Sequence, residues 1–146
     1  MRVLAVVALL SLVPVASEAA EVNPCVVAKE IKLWRMDRYI FFTLADWMCT
    51  VHHVSGFKIQ PPPSGTAEKT YGIFGFSNKY WCSDGTEPSS NYCNISCQKF
   101  LDDNIEDDIL CARKVLSMNK IVETWPLWVE KCRGKDLSSY LKGCDP

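Results

Sequence analysis

Eight cysteines, at positions 25, 49, 82, 93, 97, 111, 132 and 144, restrict how this chain can fold more than any other feature. Their number is even, and they follow a stretch that reads as an export signal, so they predict four disulfides made in an oxidising compartment. The signal covers residues 1–19: Arg2 is the positive start, Val3 to Val15 the apolar run, and Ser17-Glu18-Ala19 a small-x-small cleavage site. Ser11 and Pro14 interrupt the apolar run, which is too short to span a bilayer, so no transmembrane segment is expected. Cleavage after Ala19 leaves 127 of the 146 residues, a length suited to one domain over 20–146. Arg2 and Glu18 leave together, so the net charge stays at −1. The basic residues are scattered rather than gathered into a stripe, which argues against a nucleic-acid surface. Spacing alone leaves the pairing open, since eight cysteines allow roughly a hundred connectivities. Zinc is the other use of cysteine, but no Cys-x-x-Cys pair exists, and His52 and His53 lie far from the close Cys93/Cys97 pair.

Apolar periodicity sets out the helices. Val26, Val27, Ile31 and Trp34 recur at helical spacing after Pro24, predicting a first helix over 25–35. Leu44, Trp47, Met48, Val51 and Val54 predict a second, with Thr43 as its N-cap and Gly56 as its stop. Pro61-Pro62-Pro63-Ser64-Gly65 then breaks the pattern, and Tyr71-Gly72-Ile73-Phe74-Gly75-Phe76 mixes aromatics with glycine. Residues 57–97 therefore read as a small turn-rich lobe with short strands. Helix returns with Ile105, Ile109, Ala112, Val115 and Leu116 on one face. Its acidic first turn and the later Arg113 and Lys114 suit the two ends of the helix dipole. A short helix over 122–131 and a terminal turn near 137–141 complete the chain.

Between Cys97 and Cys111 the segment Lys99-Phe100-Leu101-Asp102-Asp103-Asn104-Ile105-Glu106-Asp107-Asp108 places five carboxylates within seven residues. Pinned by cysteines on both sides, it cannot spread that charge by remaining disordered. Like charges at such spacing repel, and a hard cation with oxygen ligands neutralises them directly, so the residues point to Ca2+. A helix dipole alone would be served by one or two of these carboxylates. The Asp-x-Asp-x-Asp-Gly order of an EF-hand is absent.

The cysteine spacings, with Tyr71-Gly72-Ile73-Phe74, Trp81-Cys82 and Leu101-Asp102-Asp103-Asn104-Ile105, resemble the C-type lysozyme and α-lactalbumin family over the whole mature chain. The resemblance implies an α+β, lysozyme-like fold, with a larger helical lobe and a smaller β lobe across a cleft. It also implies the pairings Cys25–Cys144, Cys49–Cys132, Cys82–Cys97 and Cys93–Cys111, and a secreted, extracellular monomer. For the acidic segment it implies side-chain ligands from Asp102, Asp107 and Asp108 and backbone carbonyls from Lys99 and Asn104, with water completing a seven-coordinate calcium site. Asn104 stands where Asp is commoner, as in calcium-binding lysozymes, and a backbone ligand tolerates that change. Asp103 and Glu106 then act on the cation by field rather than by contact.

Catalytic members of this family use two carboxyl groups, one an acid of raised pKa and the other ionised. By the resemblance these stand five residues after the second cysteine, here Val54, and just before the Tyr-Gly-Ile run, here Thr70. Glu68 lies two residues upstream of Thr70 and is expected to point elsewhere. The expectation is a protein without muramidase activity. Two other cleft positions differ from the family's usual Gln and Trp-Trp, being Gly75 and Tyr80-Trp81. Trp81, Trp125 and Trp128 are candidates to line a sugar-binding cleft, with core packing as the commoner role for any one Trp.

The interval from Cys49 to Cys82 resembles α-lactalbumin, whereas Cys25 to Cys49 and Cys132 to Cys144 resemble a calcium-binding lysozyme. α-Lactalbumin is a regulatory subunit that makes glucose an effective acceptor for β-1,4-galactosyltransferase, giving lactose. Its docking positions are here His52-His53, Lys131 and Ser139-Tyr140; His53 matches directly and Tyr140 partially. The expected function is thus a non-catalytic, calcium-binding subunit of that kind. The alternative is a degenerate calcium lysozyme that binds an oligosaccharide or another partner. Asn94-Ile95-Ser96 is an N-glycosylation sequon, flanked closely by Cys93 and Cys97.

Overall fold

Asn23 starts the first helix by accepting the Cys25 backbone N–H on its Oδ1 at 2.9 Å, with Pro24 in the first position, where no N–H is needed. In the computed structural model, which describes residues 20–144 apart from 40, 63, 66, 67 and 87, this helix, α1, runs Pro24–Leu33. It is shorter at its end than the periodicity predicts, because Arg35 turns into the left-handed region at φ 55°. The signal expected at residues 1–19 lies outside the described residues.

Helix α2 (Leu44–Val54) begins with a capping box: the Thr43 side chain accepts from the Asp46 N–H, and the Asp46 carboxylate accepts from the Thr43 N–H. The other oxygen of Asp46 accepts from Trp128 Nε1 at 2.8 Å, so one carboxylate ties the start of α2 to helix α5 (Pro126–Lys131). Helix α3 runs Glu106–Ser117 and helix α4 Ile121–Thr124. The single helix expected over 122–131 is therefore two. Trp125, forced towards extended backbone (ψ 72°) by the ring of Pro126, separates them. Two 3₁₀ turns, Cys97–Leu101 and Ser138–Leu141, complete the helical structure.

The strands are pairs of two residues each. β1 (Ala20–Glu21) pairs antiparallel with β4 (Lys58–Ile59), β2 (Arg38–Tyr39) with β3 (Phe42–Thr43), and β5 (Thr70–Tyr71) with β6 (Phe76–Ser77). In the β lobe, Asp84 accepts from Tyr71 Oη and Asn78 Nδ2 on one oxygen and from Thr86 on the other. Those hydrogen bonds, led by Thr86, hold its carboxyl well below the usual carboxylate range.

The two lobes meet in an aromatic core. Phe42, Trp47, Phe74, Phe76, Phe100 and Trp125 are all fully buried. Trp125 Nε1 donates to the Phe74 carbonyl and Trp47 Nε1 to that of Met36, each at 2.8 Å, so both indoles spend their only donor inside. Disulfides join Cys25 to Cys144, Cys49 to Cys132, Cys82 to Cys97 and Cys93 to Cys111, the pairings the resemblance implies. Among the described residues, no helix is long and apolar enough to cross a membrane.

Candidate metal loop and cleft

The acidic segment is fixed from three sides. Cys97 enters it through the bond to Cys82, Phe100 is buried completely, and Cys111 anchors α3 to Cys93. Between them the backbone is bent by short side chains: Asp102 Oδ1 accepts from Asn104 N–H and Asn104 Oδ1 from Glu106 N–H, each at 3.1 Å. Asp108, in the first turn of α3, is different. It is 1% exposed, and its Oδ1 has no hydrogen-bond partner among the described residues.

A buried carboxylate without a partner must either take up a proton or find a cation. Burial pushes the Asp108 carboxyl up to about 8, the charges of Asp102 and Asp107 add to the effect, and its own backbone N–H opposes it. An orphaned oxygen facing negative neighbours, in an all-oxygen donor set, fits a hard divalent cation. Asp102, Asp107, Asp108 and the carbonyls of Lys99 and Asn104 are the groups that would hold it.

The three carboxylates are not gathered tightly. Among the described residues, the one group of three His, Cys, Asp or Glu ligand atoms within 4.8 Å of one another is Cys49, His53 and Cys132, whose sulfurs are bonded together. Asp102 is exposed and Asp107 half-buried, so the loop holds its charges apart, as Coulomb repulsion requires. The β lobe approaches this loop at Gly72, whose φ is 78°; a Cβ there would lie 2.8 Å from both Asp108 Oδ2 and Phe100 Cβ.

At the other end of the same turn, where the Gly75 N–H donates to the Gly72 carbonyl at 3.1 Å, Val54 at the end of α2 and Thr70 in β5 flank the backbone of Gly75. A Cβ on Gly75 would lie 2.7 Å from Val54 Cγ1 and 4.0 Å from Thr70 Cβ. The two positions singled out for catalytic carboxyls are thus neighbours, and they present methyl groups and one hydroxyl. Glu68 is exposed.

The tryptophans divide. Trp125 and Trp128, expected as cleft candidates, are core residues at 1% and 5% exposure, with both indole donors used internally. Trp81 is also largely buried, but it lines a 360 Å³ cleft with the half-exposed Tyr80 and Tyr92, facing Lys120, Glu123 and Thr124. The Thr124 hydroxyl on that wall is buried and has no partner among the described residues.

A second cluster forms where α2 meets the terminal 3₁₀ turn. His53 Nε2 and Tyr140 Oη lie 3.0 Å apart, and the His52 ring stands edge-on to both. Burial, followed by the positive charges of His52, Lys131 and Lys135, lowers the pKa of His53 and favours its neutral ring. Asn94 is exposed in a turn, with φ 51°.

Two glycines were not recognised as site residues from sequence alone. Gly75 was visible only as a departure from a family pattern, and Gly72 only as part of an aromatic-glycine run. Their shared signal is a glycine next to bulky residues, where backbone must approach another element.

Comparison with known proteins gives one family. Residues 20–144 match the C-type lysozyme/alpha-lactalbumin family. The milk isozyme of lysozyme C from Canis lupus familiaris is 41% identical over 125 residues, covering 84% of this chain and 97% of that protein. Sperm acrosome-associated protein 5 of Mus musculus is 38% identical over 143 residues, covering 95% and 88%. The crystal structure of wild-type canine milk lysozyme (apo-type) superposes with a TM-score of 0.77 at 39% identity, over 87% of this chain and 100% of that one.

Proposed function

The chain belongs to the C-type lysozyme/α-lactalbumin family, and from that premise we propose that it is a secreted, calcium-holding, non-catalytic member acting as an α-lactalbumin-like regulatory subunit of β-1,4-galactosyltransferase. The observation that supports a docking role is the His53–Tyr140 contact, with His52 against both rings. Two positions 87 residues apart in sequence form one aromatic and polar surface feature, of the composition that interface anchors favour. Cleaving a glycosidic bond needs one group that donates a proton and one that stabilises positive charge. Val54 and Thr70 supply neither, which is why binding rather than hydrolysis is proposed. Four disulfides suit a secreted protein.

Purified protein added to the galactosyltransferase with UDP-galactose and glucose is expected to stimulate lactose formation. His53→Ala and Tyr140→Ala should each reduce the stimulation about tenfold at subsaturating concentration, the loss of a typical anchor. No stimulation by the unmodified protein rejects this reading.

A second reading is favoured by the cleft of Tyr80, Trp81 and Tyr92. The exposed rings of Tyr80 and Tyr92, beside the largely buried Trp81, suit the apolar faces of a sugar. In that case N-acetylglucosamine oligomers should bind saturably and change tryptophan fluorescence through Trp81. A flat titration rejects it.

A further inference from the structure

The sequon Asn94-Ile95-Ser96 belongs to neither the acidic loop nor the docking cluster. It opens from a tight turn in which the Asn94 N–H donates to the Asn91 carbonyl at 2.8 Å, with Tyr92 and Cys93 between them. Both asparagines are left-handed, at φ 51° and 46°, a region that Asn tolerates better than most residues. Their side chains differ in use. Asn91 Oδ1 accepts from the Ile95 N–H at 3.0 Å, so Asn91 shapes the turn. Asn94 and Ser96 are exposed, and neither the Asn94 amide nor the Ser96 hydroxyl makes a hydrogen bond among the described residues. The two groups that define the acceptor motif thus hold nothing in the fold.

The surroundings of Asn94 suit a sugar. Asn94 lines a groove of 450 Å³ with Tyr92, Ile95, Leu110 and Lys114. Tyr92 stands two residues before it, inside the turn, with its ring 5.6 Å from that of Trp81 and still 45% exposed. Leu110, from α3, is 39% exposed on the same groove. Two large apolar side chains there gain by being covered. N-acetylglucosamine offers them a face of C–H groups and an N-acetyl methyl, and offers its oxygens to the Lys114 ammonium. A sugar bonded to Asn94 starts at the groove wall and avoids most of the entropy lost when a free ligand binds.

We propose that Asn94 is N-glycosylated and that its first N-acetylglucosamine packs on the Tyr92 ring in this groove. In the reaction, Asn94 Nδ2 forms a bond to C1 of that sugar and the C1–O bond to a lipid-linked diphosphate breaks. The lipid diphosphate leaves and one amide proton is released. Transfer precedes closure of the Cys93–Cys111 and Cys82–Cys97 disulfides, which pin the sequon on both sides once they form.

The test expresses the full chain in mammalian cells restricted to high-mannose glycans, beside Ser96→Ala, which removes the acceptor motif and leaves Asn94 in its turn. Mass spectrometry should find a glycan on Asn94 in the parent and none in Ser96→Ala. Endoglycosidase H then leaves one N-acetylglucosamine. That sugar should raise the melting temperature by about 2–5 °C over Ser96→Ala, the scale of one stacking contact in a domain of this size. Its N-acetyl methyl resonance should be shifted upfield by the Tyr92 ring. Both effects should be lost in Tyr92→Ser, and the separate costs of the two substitutions cancel in the double-mutant cycle.

An unmodified Asn94 in protein recovered from the cells or their medium overturns the proposal. So does a stability increment that survives Tyr92→Ser. A single N-acetylglucosamine that neither raises the melting temperature nor shows the methyl shift also overturns it, because the sugar then stands free in solvent. None of these readouts involves calcium ligation or a galactosyltransferase.

Discussion

Chelating calcium from the purified protein is expected to lower its melting temperature by about 10–15 °C at pH 8. A ligand bound only by the native state at a thousandfold excess over its Kd stabilises by about 4 kcal/mol, and a domain of this size shifts by roughly 3–4 °C per kcal/mol. The pH dependence follows from Asp108. In the cation-free protein its carboxyl titrates near 8, against 3.8 ordinarily, so between those values the native state keeps a proton that the unfolded chain releases. Stability of the cation-free protein therefore falls as pH rises from about 4 to about 8, and levels off beyond. Bound calcium replaces that proton, so the calcium-induced rise in melting temperature should be small near pH 4 and full at pH 8.

The variant Asp108→Asn separates charge from packing. Of nearly the same shape, it removes a buried charge and with it the requirement for a cation. It should melt at a higher temperature than the chelated parent at pH 8 and respond little to added calcium. An unchanged melt of the parent on chelation, or a full calcium response in Asp108→Asn, rejects the site. Differential scanning calorimetry with and without chelator reads both.

Local rules gave much of this fold, because several of its elements are defined by short-range chemistry. Thr43 and Asp46 stand three apart before an apolar run, so the start of α2 was legible, whereas the break at Pro126 that divides α4 from α5 was passed over in expecting one helix over 122–131. The hairpin of β2 and β3 was not legible, since Arg38 to Thr43 contains no glycine, asparagine or proline to mark a turn. The pairing of β1 with β4 joins residues almost forty positions apart through two residues each, and no periodicity extends over two residues.

The acidic loop shows the same division. Its charge was visible at once, but not the difference between its members. Asp108 stands three residues after Ile105 and four before Ala112, on the same helical face, and that placement carries it into the core while Asp102 stays in solvent.

Gly72→Ala is expected to be among the most damaging single substitutions in the chain, and to damage stability and calcium response together. At φ 78° an L-residue costs about 1–2 kcal/mol by itself. The added methyl then meets Asp108 Oδ2 and Phe100 Cβ at 2.8 Å and the Phe100 carbonyl at 3.1 Å. Phe100 is fully buried and tied through its backbone to the disulfide-held turn, so it cannot withdraw as an exposed side chain would. Overpacking of this kind adds about 1–3 kcal/mol, for a total of roughly 2–5 kcal/mol, read as a lower denaturation midpoint in urea. Whatever movement relieves the clash displaces Asp108, so the calcium-dependent rise in melting temperature should shrink as well.

Gly75→Ala is the control, since its φ of 63° carries similar strain but its methyl meets the Val54 side chain rather than Asp108 or Phe100. It should destabilise while leaving the calcium-dependent increment intact. A Gly72→Ala protein with the parent's calcium increment would show that the loop and the β lobe are not coupled through this contact.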